Sequence, residues 1–231
     1  MKSFSKFTNY KTIHFFTTLT KTKTMKNIFY LVSIGLVSLM LTSCAKIYYS
    51  PDAFVLAKNQ KQIAIIPPTV SIAASRKTDA AAIKEQQRTE SLNFQKEMYS
   101  WMLKRKMQGR ILQEIQDIET TNAKLKKAGF PETPFTPSEM CEILGVDGVM
   151  GSNYALSKPM SEGAAVALYL LAGAAAATNE IRVSLNISDC ANKKLIWNYD
   201  HKYSGSLGSS PSRLVDQIMR QASKKMPHVS Q

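Results

Sequence analysis

A short apolar segment near the start of the chain limits where a folded domain can begin. Met25-Lys26-Asn27 is followed by a 14-residue, mostly apolar run and then by Thr42-Ser43-Cys44. A cationic start, an apolar middle of this length and small residues at the exit are typical of a secretory signal peptide. A membrane-spanning helix needs roughly 20 apolar residues, which is more than this run contains. We therefore predict that residues 25–43 are a signal peptide and that the mature chain begins at Cys44.

The end of this segment, Leu41-Thr42-Ser43-Cys44, resembles the lipobox of bacterial lipoproteins. In that group the cysteine thiol receives a diacylglyceryl group, cleavage occurs before the cysteine, and the new amino terminus is acylated. The alternative is a buried strand or helix with a chance cysteine, but it leaves the lysine-led start unexplained. The resemblance implies lipidation of Cys44. Attachment to a membrane through two or more acyl chains is effectively stable.

The residues on either side of this segment refine the prediction. Ala45-Lys46 follows the cysteine, whereas an aspartate there retains enteric-type lipoproteins in the inner membrane. The resemblance therefore implies the outer membrane. The acidic cluster that sends some lipoproteins to the cell surface is missing, which favours a periplasm-facing position. Residues 1–24 do not fit a signal peptide, so we expect an over-extended reading frame or, alternatively, a long leader.

The positive charge of the chain is concentrated in the part that we expect to be removed. The formal net charge is +13, and residues 1–43 hold six lysines and no acidic residue. The remaining 188 residues carry 24 basic and 17 acidic side chains. Their densest groups, Lys104-Arg105-Lys106 and Lys126-Lys127, lie in helical patterns, where a charge run is usually a solvated face. Nucleic-acid binding needs a basic stripe with groove-reading partners, so we predict no nucleic-acid partner.

Helical and strand periodicities alternate through the rest of the chain, which predicts an α/β fold with a mixed β-sheet covered by helices. Thr136-Pro137-Ser138-Glu139 combines a cap residue, a first-turn proline and a glutamate, which indicates a helix start. We expect strands at 62–66, 110–116, 146–154, 181–187 and 195–199 and helices at 84–108, 117–128, 137–144 and 210–222. The weakest of these is 110–116, where a continued helix also fits. One α/β domain over 61–226 follows a lipid-anchored tether at 44–60 and precedes a tail at 227–231.

Two motifs carry a family resemblance. The first motif is Leu144-Gly145-Val146-Asp147-Gly148-Val149, and the second is a hairpin with Asp189 and Leu195-Ile196-Trp197. This pattern resembles the periplasmic lipoproteins related to the curli secretion protein CsgG and the amino-terminal domain of TolB. The likeness covers about residues 60–226. It implies an α/β domain that takes part in cell-envelope assembly or secretion.

Residues 163–178 form an unusual segment of 16 residues without a charge. As a helix it would be about 24 Å long, and it is apolar on every side, unlike an ordinary surface helix. One interpretation is a buried, alanine-rich core helix. The other is a helix that contacts a partner or the membrane, since Gly173 and Ala177 have the small-xxx-small spacing of close helix pairs. On that interpretation Leu170, Gly173, Ala174 and Ala177 are the candidate contact residues.

Residues with catalytic chemistry are sparse. His14 lies in the leader, and His201 and His228 are far apart without ligands at metal-binding spacing, so we predict no metal and no cofactor. The serine- and glycine-rich residues 204–210 match neither a phosphate loop nor a nucleophile motif. Asp147 and Asp189 are interpreted as structural. We therefore predict no catalytic residue and no enzyme.

Two function hypotheses follow. The first is a non-enzymatic envelope lipoprotein that forms a homo-oligomer or binds other envelope proteins. The second is an envelope hydrolase or ligand-binding lipoprotein whose site forms only in three dimensions.

The two remaining cysteines, Cys141 and Cys190, do not separate these two hypotheses. An oxidising periplasm permits a Cys141–Cys190 disulfide, but Cys141 falls among apolar residues where a buried thiol is equally natural. Free thiols are the favoured expectation.

Overall fold

The computed structural model describes residues 45–73, 79–157, 170, 179–205 and 210–229. In these ranges we number seven strands and five helices in chain order. They are β1 (Lys46–Tyr49), α1 (Ala53–Asn59), β2 (Gln62–Ile65), β3 (Thr69–Ile72), α2 (Ala80–Met107), β4 (Glu114–Ile115), α3 (Ile118–Lys127), α4 (Pro137–Leu144), β5 (Gly148–Ser157), β6 (Asn179–Asp189), β7 (Lys194–Gly205) and α5 (Pro211–Ala222). The predicted α/β fold with a mixed sheet covered by helices is confirmed.

All seven strands belong to one sheet with the order β1-β7-β6-β5-β2-β4, and β3 pairs with β5 beyond the end of β2. The pairs β1–β7, β7–β6 and β6–β5 are antiparallel. The pairs of β5 with β2 and β3, and of β2 with β4, are parallel. Parallel neighbours need a crossover connection, and here α2, α3 and α4 lie in those crossovers.

One face of the sheet carries the larger core. The inward side chains of β6, namely Ile181, Val183, Leu185 and Ile187, are at most 4% exposed. They pack with the apolar stripe of α5 and with α2 from Phe94 onward. Burying an aliphatic side chain of this size stabilises the fold by roughly 1.5–3 kcal/mol. This layer therefore sets most of the packing energy of the domain.

The opposite face is only partly covered. Helices α3 and α4 pack over β2 and the first residues of β5, around Ala64, Leu144 and Val149. Across the remaining strands the outward positions carry exposed or half-exposed polar side chains. Because opposed residues of paired strands share a face, the register places on this one surface Thr69, Ser71, Asn153, Arg182, Ser184, Asn198, Asp200 and Lys202.

The predicted starts of α3, α4 and α5 are confirmed by their caps. The Thr136 hydroxyl accepts from the backbone N–H of Glu139, and the Glu139 carboxylate accepts from that of Thr136. Gly145 ends α4 in the left-handed region at φ 65°, where only glycine avoids a steric penalty. The Asp117 carboxylate caps α3 through the N–H of Thr120. Helix α2 begins earlier than expected, at Ala80 with Asp79 as its cap.

Three sequence-based boundaries are wrong. Residues 46–59 are not a tether, because β1 pairs with β7 and α1 buries Ala53 and Ala57 in the main core. Residues 227–229 are not a loose tail, since His228 and Val229 are 7% exposed. The strand expected at 110–116 is reduced to Glu114–Ile115. Each of these segments is too short to show a clear periodicity, so its secondary structure depends on the elements that it packs against.

Candidate functional site

Three strand ends meet at one end of the sheet, which we call the proximal end. There β5 ends with Ser157 opposite Glu180, whereas β1 begins with Lys46 opposite Asp200, five residues before the end of β7. Strand β7 ends with Gly205 opposite Asn179, the first residue of β6. The chain therefore enters the domain heading away from this end, and residues 158–178 connect two strands there.

The described side chains at the proximal end are charged and aromatic. The Glu180 carboxylate lies 2.8 Å from Nζ of Lys202 and 3.2 Å from Nε of Arg182. The hydrogen bond from Lys202 lowers the pKa of Glu180, and the bond from Arg182 adds to this effect. On the other face Tyr199, His201 and Tyr203 form a row with ring centroids 5.9 and 6.0 Å apart. Partial burial lowers the pKa of His201.

The predicted site residues fall mostly outside this description. Cys44 immediately precedes Ala45, where the described residues start, so its lipidation stays a prediction. Gly173, Ala174 and Ala177 also lie outside the described residues. Leu170 is described, and its side chain is 76% exposed. Among the described helices, none is long and apolar enough to cross a bilayer.

The opposite end of the sheet, which we call the distal end, holds a disulfide between Cys141 and Cys190. The expectation of free thiols is therefore wrong. The pairing of Gly148 with Asp189 brings the β6–β7 turn beside the residues that lead into β5, and the N–H of Cys190 donates to the carbonyl of Asp147 at 2.9 Å. Helix α4 ends in the same place, so Cys141 reaches Cys190 across a sequence separation of 49 residues.

Asp147 and Asp189, interpreted as structural from the sequence, each hold backbone or side-chain donors at the distal end. Oδ2 of Asp147 accepts from the backbone N–H groups of Lys61 and Gln62, both at 2.9 Å. Oδ2 of Asp189 accepts from the backbone and side-chain nitrogens of Asn192, both at 2.8 Å. These bonds fix the start of β2 and the tight turn before β7.

A buried chain of polar side chains links three distant segments. Nε2 of Gln60 donates to Oδ1 of Asp189 at 2.8 Å, and Oε1 of Gln60 lies 2.7 Å from Nε2 of His228. Since a carboxylate only accepts, the Gln60 amide oxygen faces His228, and Nε2 of the neutral imidazole carries the proton. Burial lowers the pKa of His228 to about 4, while the nearby Asp189 opposes that shift.

A cleft of about 340 Å³ lies where the open face of the sheet meets the start of α4. Its lining combines two lysines with amide and hydroxyl groups, and comprises Pro137, Ser138, Asn186, Ser188, Asp189, Lys193, Lys194, Leu195 and Asn198. The Lys194 ammonium lies 2.5 Å from Oδ2 of Asp52, and the Lys193 ammonium lies 4.0 Å from Oε1 of Glu142, so each of the two cations faces a carboxylate. The cleft does not bring Asp147, Asp189 and His201 together.

Asp147, Asp189 and His228 are engaged in hydrogen bonds that hold turns and chain segments. His201 and His228 lie in different parts of the domain, and among the described residues no group of three or more His, Cys, Asp or Glu side chains could hold a metal ion. Sequence reasoning missed Gln60 and weighed the disulfide without favouring it. A Cβ added at Gly148 would overlap Oε1 of Gln60, but this contact is visible only in the folded structure.

Comparisons with known proteins complete the description. No protein-family model and no curated protein sequence matches the chain. Among solved structures it is similar to the PelC dodecamer from Paraburkholderia phytofirmans, with 10% identity over 82% of this chain and 99% of that one and a TM-score of 0.44. It is also similar to lipoprotein GNA1162 from Neisseria meningitidis, with 11% identity over 71% and 94% of the chains and a TM-score of 0.36.

A third similar structure is the LpoB C-terminal domain from Salmonella enterica, with 9% identity over 64% and 83% of the chains and a TM-score of 0.29. With TM-scores below 0.5, these similarities determine neither the family nor the function of this chain. The resemblance to the CsgG and TolB group stays a prediction.

Proposed function

We propose that this chain is a non-enzymatic lipoprotein of the bacterial outer membrane that faces the periplasm. In this proposal the acylated Cys44 holds the domain on the bilayer by its proximal end. The protein then acts in envelope assembly or secretion by associating with itself or with other envelope proteins. The function rests on contacts rather than on a reaction.

The observation that carries this proposal is how soon the fold begins after Cys44 in the sequence. Strand β1 begins at Lys46, two residues after Cys44. Two residues span about 7 Å at most, so a lipid on Cys44 would hold the β1 edge of the sheet close to the bilayer. Because β1 runs from Lys46 away from the proximal end, Cys44 comes before β1 on the side of that end, although the end of β7 lies roughly 17 Å beyond Asp200.

The connection between β5 and β6 supports the same orientation. It joins Ser157 to Asn179 at the proximal end and contains the uncharged residues 163–178. An apolar segment at that position would reach lipid or a neighbouring envelope protein. We propose that Leu170, Gly173, Ala174 and Ala177 make this contact.

A non-enzymatic role agrees with how the acidic and imidazole groups are used. Asp147 and Asp189 hold backbone and side-chain donors, and His228 is buried in a hydrogen bond with Gln60. A general acid or base must reach a substrate proton, and these groups are already engaged in holding the fold. The cleft beside Lys193 favours a second candidate, a ligand-binding lipoprotein, because its amide and hydroxyl lining faces solvent.

The anchor is tested by replacing Cys44. The Cys44→Ser variant should leave the membrane fraction and retain its signal peptide, because the thioether cannot form. The matched control is the double variant Cys141→Ser/Cys190→Ser, which loses two cysteines but should stay in the membrane fraction. Mass spectrometry that finds an unmodified thiol at Cys44 of the mature protein would overturn the proposal.

The contact segment is tested separately with Leu170→Glu and Ala174→Glu. If the segment contacts lipid or a partner, thermal unfolding of the variants should be unchanged while oligomers or liposome binding are lost. A lower melting temperature in the lipid-free protein would instead assign the segment to the core, since an unpaired buried charge is strongly destabilising. If neither stability nor association changes, the proposed contact is wrong.

A further inference from the structure

The last turns of α2 and α5 meet at the distal end and carry an unbalanced charge. Residues 101–114 and 217–229 hold one acidic side chain, Glu114, and seven basic ones, which are Lys104, Arg105, Lys106, Arg110, Arg220, Lys224 and Lys225. We call these two segments the basic corner. The rest of the chain from Cys44 onward holds 17 basic and 16 acidic residues. These two segments therefore carry six of the seven net positive charges of the mature chain.

Direct contacts hold the two segments of the basic corner together. Nε of Arg105 donates to Oγ of Ser223 at 3.0 Å, and its Nη2 donates to the carbonyl of Arg220 at 3.2 Å. The guanidinium is buried, and burial together with the charge of Arg110 lowers the pKa of Arg105. Arg105 thus joins the two helix ends and adds a buried positive charge beneath the surface.

The helix ends do not account for this charge. A helix C-terminus carries about half a negative charge, so two of them offset roughly one of the six net positive charges. Glu114 pairs with Lys106 at 2.7 Å. The nearest acids along the helices are Glu97 and Asp216, and Asp216 accepts from Nε1 of Trp101. The exposed Arg220, Lys224 and Lys225 therefore face solvent as a like-charged surface, and Lys104 joins them with its ammonium 4.5 Å from the centre of the Trp101 ring.

Two large apolar side chains border these cations. Met107 is 88% exposed and Leu112 is 81% exposed; Met107 is the last residue of α2, next to Lys106, and Leu112 lies in the connection to β4. A sugar–phosphate backbone would use the lysines but leave these side chains in water. A protein segment that alternates acidic and apolar residues would engage both, since charges steer the encounter and apolar contacts hold it.

We propose that the basic corner is a docking surface for an acidic segment of another protein that also presents apolar side chains. The surface lies at the end of the domain opposite the proximal end, so a partner can reach it while the proximal end is occupied. The inference does not depend on lipidation of Cys44. It gives the domain a second, separate contact surface with opposite chemistry to the uncharged segment 163–178.

The test measures binding of a fluorescein-labelled peptide of Glu-Glu-Leu repeats to the full processed chain in non-ionic detergent. The change is Lys224→Glu/Lys225→Glu, just after the end of α5, and the matched control is Lys126→Glu/Lys127→Glu, an exposed lysine pair at the end of α3. We expect about tenfold weaker binding for the first pair and no change for the control. Thermal unfolding of each variant confirms that both remain folded.

A second variant, Met107→Ser/Leu112→Ser, tests the apolar part. It should weaken binding of the Glu-Glu-Leu peptide several-fold while leaving binding of a Glu-Glu-Ser peptide unchanged. The proposal is overturned if the Glu-Glu-Leu peptide does not bind, or if both lysine pairs weaken it equally. It is also overturned if duplex DNA or phosphatidylglycerol vesicles bind through Lys224 and Lys225 more tightly than the peptide does.

Discussion

The distal and proximal ends of the sheet are held by different kinds of interaction. At the distal end a disulfide, two aspartates that hold nearby N–H donors and the buried Gln60–His228 pair connect segments far apart in sequence. At the proximal end the described polar contacts are surface ion pairs around Glu180. The contacts that hold distant segments together therefore lie at the end away from the predicted anchor. Substitutions at the proximal end should consequently alter its contact surface without unfolding the domain.

Removing the disulfide should have the largest effect on stability. The bond closes a loop with a sequence separation of 49 residues, for which the chain-entropy estimate is about 4 kcal/mol. The Cys141→Ser/Cys190→Ser variant should lower the free energy of unfolding by about that amount in chemical denaturation. A change in the free energy of unfolding of less than 1 kcal/mol would contradict the claim that this bond stabilises the distal end.

Acidification should act on the distal end through His228. Its folded pKa of about 4 lies below the unfolded value of 6.5, so the unfolded state binds more protons between these pH values. The contribution of His228 to the free energy of unfolding should be fully present above pH 6.5 and should fall by about 3 kcal/mol as the pH drops to 4. The His228→Gln variant should lose most of this dependence, whereas His201→Gln at the proximal end should retain it. Equal pH profiles for both variants would contradict the assignment.

Two glycines of β5 offer a closer comparison. A Cβ at Gly148 would lie 2.8 Å from Cδ of Gln60, and a Cβ at Gly151 would lie 2.8 Å from Oδ1 of Asn186. Gln60 is buried and bonded on both sides, whereas Asn186 can turn into the open cleft. Gly148→Ala should therefore cost about 2 kcal/mol and Gly151→Ala well under 1 kcal/mol. The difference is read from the two thermal unfolding curves, and its reversal would show that Gln60 moves freely.

The smallest effect is expected from the ion pairs of the proximal end. Glu180→Gln removes the carboxylate that Lys202 and Arg182 share. Glu180 is 13% exposed, but Lys202 and Arg182 are 54% and 68% exposed. Because ion pairs that reach solvent contribute about 0.2–1 kcal/mol each and are screened by salt, the free energy of unfolding of the variant should lie within about 1 kcal/mol of that of the parent chain. A loss as large as that of the disulfide variant would show that both ends are equally held.

The sequence predicts the fold well where local signals are strong. The capping box at Thr136 and the alternation over 181–187 placed α4 and β6 correctly. The disulfide and the buried Gln60 were out of reach, because both depend on the register of β5 with β6. The tether prediction failed because the four residues of β1 gain their stability from pairing with β7. The basic corner was hidden because its two halves are separated by about a hundred residues.

The orientation of the domain on the membrane is measured most directly by lipid quenching of a probe at each end. Lys202→Cys and Lys193→Cys place a bimane label on β7 near the proximal end and in the distal turn, at positions whose lysine side chains are 54% and 67% exposed. The two sites lie about 30 Å apart along the strand. In liposomes carrying the lipidated protein, brominated lipids should quench the label at position 202 and not the label at 193. Quenching at 193 alone, or equally at both, would contradict a domain seated by its proximal end.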